Sequence, residues 1–407
     1  MEADHESPYV GNDPSPCRIR QIGESMTDLH DLLLRYVNDG SLPGAVGLVA
    51  HGDETEVAAV GSKTIDDAPM ARDSIFRFAS ITKPITATAV MMLVKDGRIA
   101  LDDPVDQWLP ELANPTVVRT PASPVEDVVP AARPITVFDL LTSRAGYGFP
   151  SDFTLPAVQR LFPVQQDGRE PQRFPPADKW MADLSEVPML YHPGEAWLYD
   201  TCSTLQGVLI SRASGNSLPE FLAERVFQPL GMLDTGFYVT TDKLARLTSH
   251  YRIDPTGSLE LADGPDGQWS TPPPLPLGNA GLVGTVDDWF AFAHMLLAGG
   301  TSADGRRLLS ADSVQLMINN HTTPAQRMIS DLFLEGQGWG FGGSVDIETI
   351  DPWNVLGRYG WVGGTGTSAH ITPSTGTIAI LLTQVAADSP TAPEWMRSFW
   401  RYAASRG

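Results

Sequence analysis

A serine and a lysine three residues apart, Ser80 and Lys83, stand at the start of an apolar run. Residues 85–94 are apolar enough to be buried, Pro84 suits a first helical turn, and Gly97 is placed to end the helix. Helical positions i and i+3 share a face, with Cβ atoms roughly 5–6 Å apart, so both side chains can face one space. Ser80 would also sit at the positive end of the helix dipole, which favours negative charge developing there. A serine hydroxyl becomes a nucleophile when a neighbour takes its proton. A lysine does that if burial or nearby positive charge brings its pKa down towards neutrality. Taken alone, the spacing also fits a surface lysine near a helix start, so the rest of the chain has to decide.

The elements that would hold this pair can be read in order. Residues 1–20, rich in Asp, Pro and Ser, read as a flexible tail. Leu29, Leu32, Leu33, Tyr36 and Val37 fall at helical spacing, with Ser25 and Asp28 as cap candidates and Gly40 as a stop. Residues 45–50 and 55–60 form a hairpin just ahead of the Ser80 helix. Prolines from Pro104 to Pro134 then punctuate an irregular excursion. Residues 135–141 begin a helix that breaks at Ser143, while 150–178 and 254–276 read as loops. Helices are expected at 203–213, 218–226, 287–297 and 310–318. Strands return between 338 and 386, most clearly at 377–382, and a helix over 394–404 closes the chain. Strands at both ends with helices between imply an α+β fold. Its single sheet comes from residues 21–80 and 300–407, and a mostly helical region with long loops, 81–299, is inserted.

With 407 residues, 42% of them hydrophobic, the chain can bury one large core or two packed ones. A net charge of -21 argues against nucleic acid or an anionic membrane as partner. Cys17 and Cys202 are too few for a disulfide framework and read as free thiols. The acidic start, with no apolar run after it, is not a secretory signal, and no apolar stretch of about 18 residues could span a bilayer. A cytoplasmic location is expected. There is no G-x-S-x-G elbow, no H-E-x-x-H or paired-cysteine zinc spacing, and no phosphate-binding glycine loop. No metal or cofactor is expected. His192 and His370 lie near the site segments in sequence and read as structural. The Met91-Met92 pair reads as core.

Several segments together resemble the serine β-lactamase and penicillin-binding protein superfamily. They are Pro43-Gly44-Ala45-Val46, Ser80-Ile81-Thr82-Lys83 and Leu140-Leu141-Thr142-Ser143-Arg144-Ala145-Gly146. Further on come Pro193-Gly194-Glu195 before Tyr199, Phe227-Gln228-Pro229-Leu230-Gly231-Met232, and Ala280-Gly281-Leu282-Val283-Gly284-Thr285. The last is Gly360-Trp361-Val362-Gly363-Gly364-Thr365-Gly366-Thr367. In pattern they are closest to class C β-lactamases and the β-lactamase-like esterases of carboxylesterase family VIII. The resemblance implies a β-lactamase/transpeptidase-like fold, a mostly antiparallel sheet flanked by helices.

It also implies Ser80 as the acylated nucleophile, Lys83 as its activator and Tyr199 as the partner base. The alternative for Tyr199 is a core tyrosine with a structural hydrogen bond. The backbone N–H groups of Ser80 and Gly364 would form the oxyanion hole. Trp361, Gly363 and Tyr147 would contact substrate, the glycines letting it approach the backbone; the same run would also serve as a plain turn. Two departures matter. Thr201 stands where the tyrosine box often carries asparagine. Trp361 stands where the third box carries the lysine that holds a β-lactam or peptide carboxylate. Tryptophan offers one N–H and an apolar face, and it is familiar in the esterase branch. The expected substrate is therefore a neutral short or medium acyl ester, cleaved by a carboxylesterase. A β-lactamase or D-amino-acid peptidase, an acyltransferase and a non-turnover penicillin-binding sensor are the alternatives, with Arg358 near enough in sequence to replace the lost charge.

Overall fold

The computed structural model describes residues 28–407. The expected tail, Cys17 and Ser25 lie outside them. Seven strands build the main sheet: β1 (Gly44–His51), β2 (Glu54–Gly61), β3 (Gly338–Trp339), β4 (Ser344–Val345), β5 (Tyr359–Gly363), β6 (Thr367–Thr372) and β7 (Thr377–Thr383). Their order is β2-β1-β7-β6-β5-β4-β3, and each neighbouring pair runs antiparallel. The first hairpin therefore docks beside the last strand, with Leu48 opposite Ile380.

Side chains of a strand alternate across the pleat, and here both faces are covered. Val46, Leu48 and Ala50 join Ile378, Ile380 and Leu382 in the larger core. Ala45 and Val49 join Ala379 and Leu381 in a smaller one, closed by α1 (Leu29–Asn38) and α5 (Glu394–Ala404). Asp28 caps α1 by accepting the Asp31 N–H. Gly47 is where α1 presses on the sheet: a Cβ there would lie 2.8 Å from Leu33 Cδ1.

The larger core holds α2 (Lys83–Lys95), α3 (Thr201–Ser214) and α4 (Val286–Leu297). Every residue of α2 from Lys83 to Leu93 is buried, Met91 and Met92 included, as befits a helix apolar on all sides. α3 packs along α2, and α4 packs on β1, β6 and β7. The fold is that of the β-lactamase/transpeptidase type: helices on an antiparallel sheet, with no closed barrel.

Several segments depart from the sequence expectation. In the proline-punctuated excursion Thr116–Val118 pairs with Val128–Pro130. Residues 150–178 include a helix, Pro156–Leu161, started by a proline in its first turn. The expected helix at 218–226 is α-helical only through Leu222, then widens into a π-turn over Ala223–Phe227. Residues 254–276 contain a strand, Leu259–Asp263, paired with His250–Ile253. That hairpin is mostly solvent-facing, so it lacks the apolar alternation that marks a half-buried strand. Among the described residues no helix is long and apolar enough to cross a membrane.

His250, at the root of this hairpin, is only 4% exposed. Burial, then the Arg77 and Arg169 guanidiniums, push its pKa down to about 3, against a weaker pull from Asp167. The folded protein keeps the ring neutral, whereas the unfolded chain protonates it below about pH 6.5. Its stabilising contribution is complete above that value and is lost as pH falls towards 3, at about 1.4 kcal/mol per pH unit. Urea unfolding of wild type should therefore lose about 2 kcal/mol more between pH 7 and pH 5 than unfolding of His250→Asn.

Candidate active site

Ser80 lies in a 3₁₀ turn, Ala79–Thr82, that runs straight into α2, with Pro84 in the helix's first turn. Ala79 before it has φ +46, a left-handed conformation that costs an alanine roughly 1–2 kcal/mol. Tyr199 Oη donates to Ser80 Oγ over 2.9 Å. The same phenolic oxygen accepts from Lys83 Nζ at 3.4 Å and from Trp361 Nε1 at 3.0 Å. The Tyr199 ring stacks on Phe333 at 4.6 Å and carries Lys83 Nζ 4.7 Å from its centroid. Serine, lysine, tyrosine and tryptophan from three separate segments thus meet at one oxygen.

The Lys83 side chain is 1% exposed, and its ammonium is paired with Asp200 Oδ1 at 2.8 Å. It also donates to the Asn279 carbonyl at 3.0 Å. Asp200 Oδ2 accepts from Asn279 Nδ2 at 2.7 Å and from Gln165 Nε2 at 3.2 Å. Burial pulls the lysine pKa down, but the Asp200 carboxylate and Tyr199 more than offset it, so the ammonium is held above its ordinary value. The expectation of a lysine tuned towards neutrality is corrected here. Burial was foreseen; the buried counter-charge was not.

The backbone makes this pairing possible. Asp200 has φ +86 and ψ −58, and the Thr201 N–H reaches the Tyr199 carbonyl at 3.3 Å. These are the marks of the rare γ-turn with positive φ, worth about 1–3 kcal/mol of strain in a non-glycine residue. Consecutive side chains of an extended chain point to opposite faces; across this turn both Tyr199 and Asp200 reach Lys83. The turn is pinned by reciprocal hydrogen bonds between Phe149 and Tyr199, each 3.0 Å. Thr201, at the position noted for its missing asparagine, is fully buried and begins α3, and the box meets Lys83 through Asp200 instead.

The edge of the sheet closes the other side. Thr365 Oγ1 donates to the Arg77 carbonyl at 2.6 Å and Thr367 Oγ1 to the Phe78 carbonyl at 2.8 Å. At Gly363 a Cβ would stand 2.1 Å from Thr367 Oγ1 and 2.5 Å from the Phe78 carbonyl. The missing side chain at 363 therefore serves the docking of β5 on the Ser80 turn, as well as lining the cleft. A Cβ at Gly364 would meet nothing within 4 Å, and no backbone acceptor among the described residues takes the Gly364 N–H. Ser80, Tyr199, Trp361, Gly363 and Gly364 all border one cleft of about 440 Å³. Its wall is aromatic at Phe149, Phe153, Phe162 and Phe333 and polar towards Gln165, Arg169 and Asp388.

Other expected residues lie elsewhere. Tyr147 is 2% exposed and absent from the cleft wall, and burial pushes its phenol up. The neighbouring Gly146 and Gly148 lie so close to the 191–199 segment that a Cβ would strike the Tyr191 or Tyr199 carbonyl; this seals Tyr147 in the core. Arg358 is buried against Asp346, 2.8 Å away, and does not reach the cleft. His370 packs edge-on against Trp400, and His192 accepts the Ala132 N–H near the surface. Asp200 and Asn279 are the polar residues that sequence reading passed over. The signal available was an acid directly beside Tyr199 and the need of any buried ammonium for an anion.

The two glycines should separate in a mutational test. Gly363→Ala forces a Cβ into backbone and should lower stability by about 1–3 kcal/mol, as overpacking does. Gly364→Ala, in open space, should leave the unfolding midpoint unmoved while obstructing the cleft. Thermal denaturation of the two variants beside wild type checks both.

Comparison with known proteins gives the family and the fold. Protein Rv1367c of Mycobacterium tuberculosis is 36% identical over 365 residues, covering 86% of this chain and 88% of its own length. Lovastatin esterase of Penicillium rubens is 29% identical, covering 81% and 85%. Among solved structures, EstCE1, described as a hydrolase with promiscuous acyltransferase activity, superposes with a TM-score of 0.75 at 24% identity, covering 92% of this chain and 96% of that one. Residues 25–398 match the family described as Beta-lactamase, and the chain belongs to that family of serine hydrolases.

Proposed function

We propose that this protein is a carboxylesterase that cleaves neutral short or medium acyl esters through a covalent Ser80 acyl-enzyme. The observation that carries this reading is the 2.9 Å contact between Ser80 Oγ and Tyr199 Oη beneath an aromatic cleft wall. In the reactive proton arrangement the phenolic oxygen is unprotonated, held by Lys83 Nζ and Trp361 Nε1, and accepts from the serine. Ser80 Oγ attacks the ester carbonyl carbon and its proton passes to Tyr199 Oη. The developing oxyanion is met by the Ser80 and Gly364 N–H groups. The carbon–oxygen bond to the alcohol breaks, and the alcohol leaves with the proton from Tyr199. Water then repeats the sequence: its proton goes to Tyr199, its oxygen to the acyl carbon, and Ser80 recovers a proton as the acid departs. Lys83 stays an ammonium throughout.

Charge around the cleft supports a neutral substrate. Lys83 is paired with Asp200 and Arg169 with Asp167. Trp361 spends its N–H on Tyr199. No lining cation among the described residues is free to hold a carboxylate, which a β-lactam or peptide terminus would need. The relative named lovastatin esterase supports ester chemistry. Acyl transfer is a second reading, supported by the room left in the cleft beyond a small acyl group and by the acyltransferase activity attributed to EstCE1. Product analysis with an added alcohol would reveal it.

Nitrophenyl esters of short acids should be hydrolysed and nitrocefin far less. Ser80→Ala should abolish turnover and labelling by a fluorophosphonate, the latter read as the loss of an intact-mass adduct. Tyr199→Phe keeps the ring stacking but removes the proton acceptor, and should lower kcat by about 10²–10⁴. Undiminished ester cleavage by Ser80→Ala would refute the reading.

A further inference from the structure

We propose that Asp200 is a positioning residue that fixes the proton inventory of the site: it locks Lys83 as a permanent ammonium and so leaves Tyr199 as the sole group able to take the serine proton. The inference rests on the esterase reading and adds a residue that the Ser80–Lys83–Tyr199 constellation does not contain.

The groups facing Lys83 Nζ are few. From the γ-turn come the Asp200 carboxylate at 2.8 Å and the Tyr199 hydroxyl at 3.4 Å, and from the segment before Ala280 comes the Asn279 carbonyl at 3.0 Å. Asp200 is the one anion among them. Its second oxygen is held by Asn279 Nδ2 and Gln165 Nε2, so the carboxylate cannot swing away from the amine. A lysine left in this buried place without an anion would favour the neutral amine, because desolvation penalises the charged form. It would then compete with Tyr199 for the serine proton. The chain accepts a strained turn at a non-glycine residue to prevent this. Asparagine tolerates positive φ and glycine adopts it freely, yet neither carries charge. An aspartate at φ +86 is what the site requires if charge, and not turn shape, is the function of the position.

The carboxylate has a second effect with a definite sign. With Lys83 held as the ammonium, it is the Tyr199 proton that must leave before the phenolic oxygen can accept from Ser80. Removing a negative charge beside a phenol makes its proton easier to lose, so loss of Asp200 should move the acidic limb of the pH–rate profile to lower pH. Asp288, whose carboxyl is raised to about 6 by burial, faces Asp234 and Thr235 instead and takes no part.

The test uses Asp200→Asn, which keeps the shape, and Asp200→Gly, which adopts the turn without strain. First, the Lys83 side chain is followed by NMR in protein carrying ¹³Cε-labelled lysine, the signal being assigned by its disappearance in Lys83→Arg. Its titration midpoint should fall by about 1–3 pH units in both variants, as loss of a close opposite charge demands. Second, the acidic limb of kcat/KM for a nitrophenyl ester should move to lower pH in both. A merely structural Asp200 would lower the unfolding midpoint or the amplitude of the profile and leave limb and lysine midpoint in place; that result would overturn the proposal. The glycine variant covers a failure of the asparagine variant to fold. If ester cleavage survives in Ser80→Ala, the esterase reading fails, while the lysine titration still decides whether Asp200 holds the ammonium.

Discussion

A charged amine with 1% of its side chain exposed sets the terms for everything around it. Burying an ammonium costs several kcal/mol unless an anion and further acceptors meet it. Lys83 has one of each within 3.0 Å, Asp200 and the Asn279 carbonyl, and both come from outside its own helix. The amine can sit at the floor of the cleft only because the turn before α3 and the segment before Ala280 converge on it. Breaking a buried pair by removing one partner is expensive, whereas the intact pair adds little to stability over an apolar replacement. The pair is therefore better explained by what it does to neighbouring protons than by any contribution to the fold.

Strain and close approach gather at the same place. Ala79 and Asp200 are two of the few non-glycine residues with positive φ in the described chain, and they flank Ser80 and Tyr199 respectively. Such conformations persist when the surroundings over-determine them. Around Ala79 the surroundings are the threonine bonds from Thr365 and Thr367 and the missing side chain of Gly363. Around Asp200 they are the paired Phe149–Tyr199 bonds and the start of α3. The turns that lead into α2 and α3 thus each carry one strained residue, and each is held by hydrogen bonds from another segment. The site is a joint between two layers, which is why segments around residues 80, 199 and 361 end within hydrogen-bond reach.

The parts legible in the sequence are those governed by local rules. Helix 394–404 follows from its apolar periodicity and closes the smaller core as Glu394–Ala404. Pro84 and Gly97 bracket α2, and the 377–382 run is the strand β7 almost to the residue. The trio Ser80, Lys83 and Tyr199 came from spacing and family resemblance, and the geometry brings the three together. What local rules could not supply were the contacts made at a distance. Nothing at position 200 announces a γ-turn, since that conformation is imposed by Phe149, some fifty residues earlier. Arg358 is close to Trp361 along the chain yet belongs to Asp346: it stands just before β5, with its guanidinium over Trp400 and away from the cleft. Tyr147 has a reactive-looking address but is sealed by the glycines beside it.

The proposed preference for a neutral substrate rests on how the cleft's charges are already spent. Coulomb attraction between a bound carboxylate and a lining cation grows as water is excluded, so one free lysine or arginine would dominate recognition. Here the lining cation Arg169 is paired with Asp167, the buried Lys83 behind the wall with Asp200, and the tryptophan in the third box gives its single N–H to Tyr199. What remains for a ligand is the apolar face made by Phe149, Phe153, Phe162 and Phe333, which rewards buried hydrocarbon area at about 25 cal/mol per Å². A carboxylate brought against that wall would lose its hydration and gain no partner. An uncharged acyl chain would lose little and gain the burial, and the proposed preference for neutral esters rests on that difference.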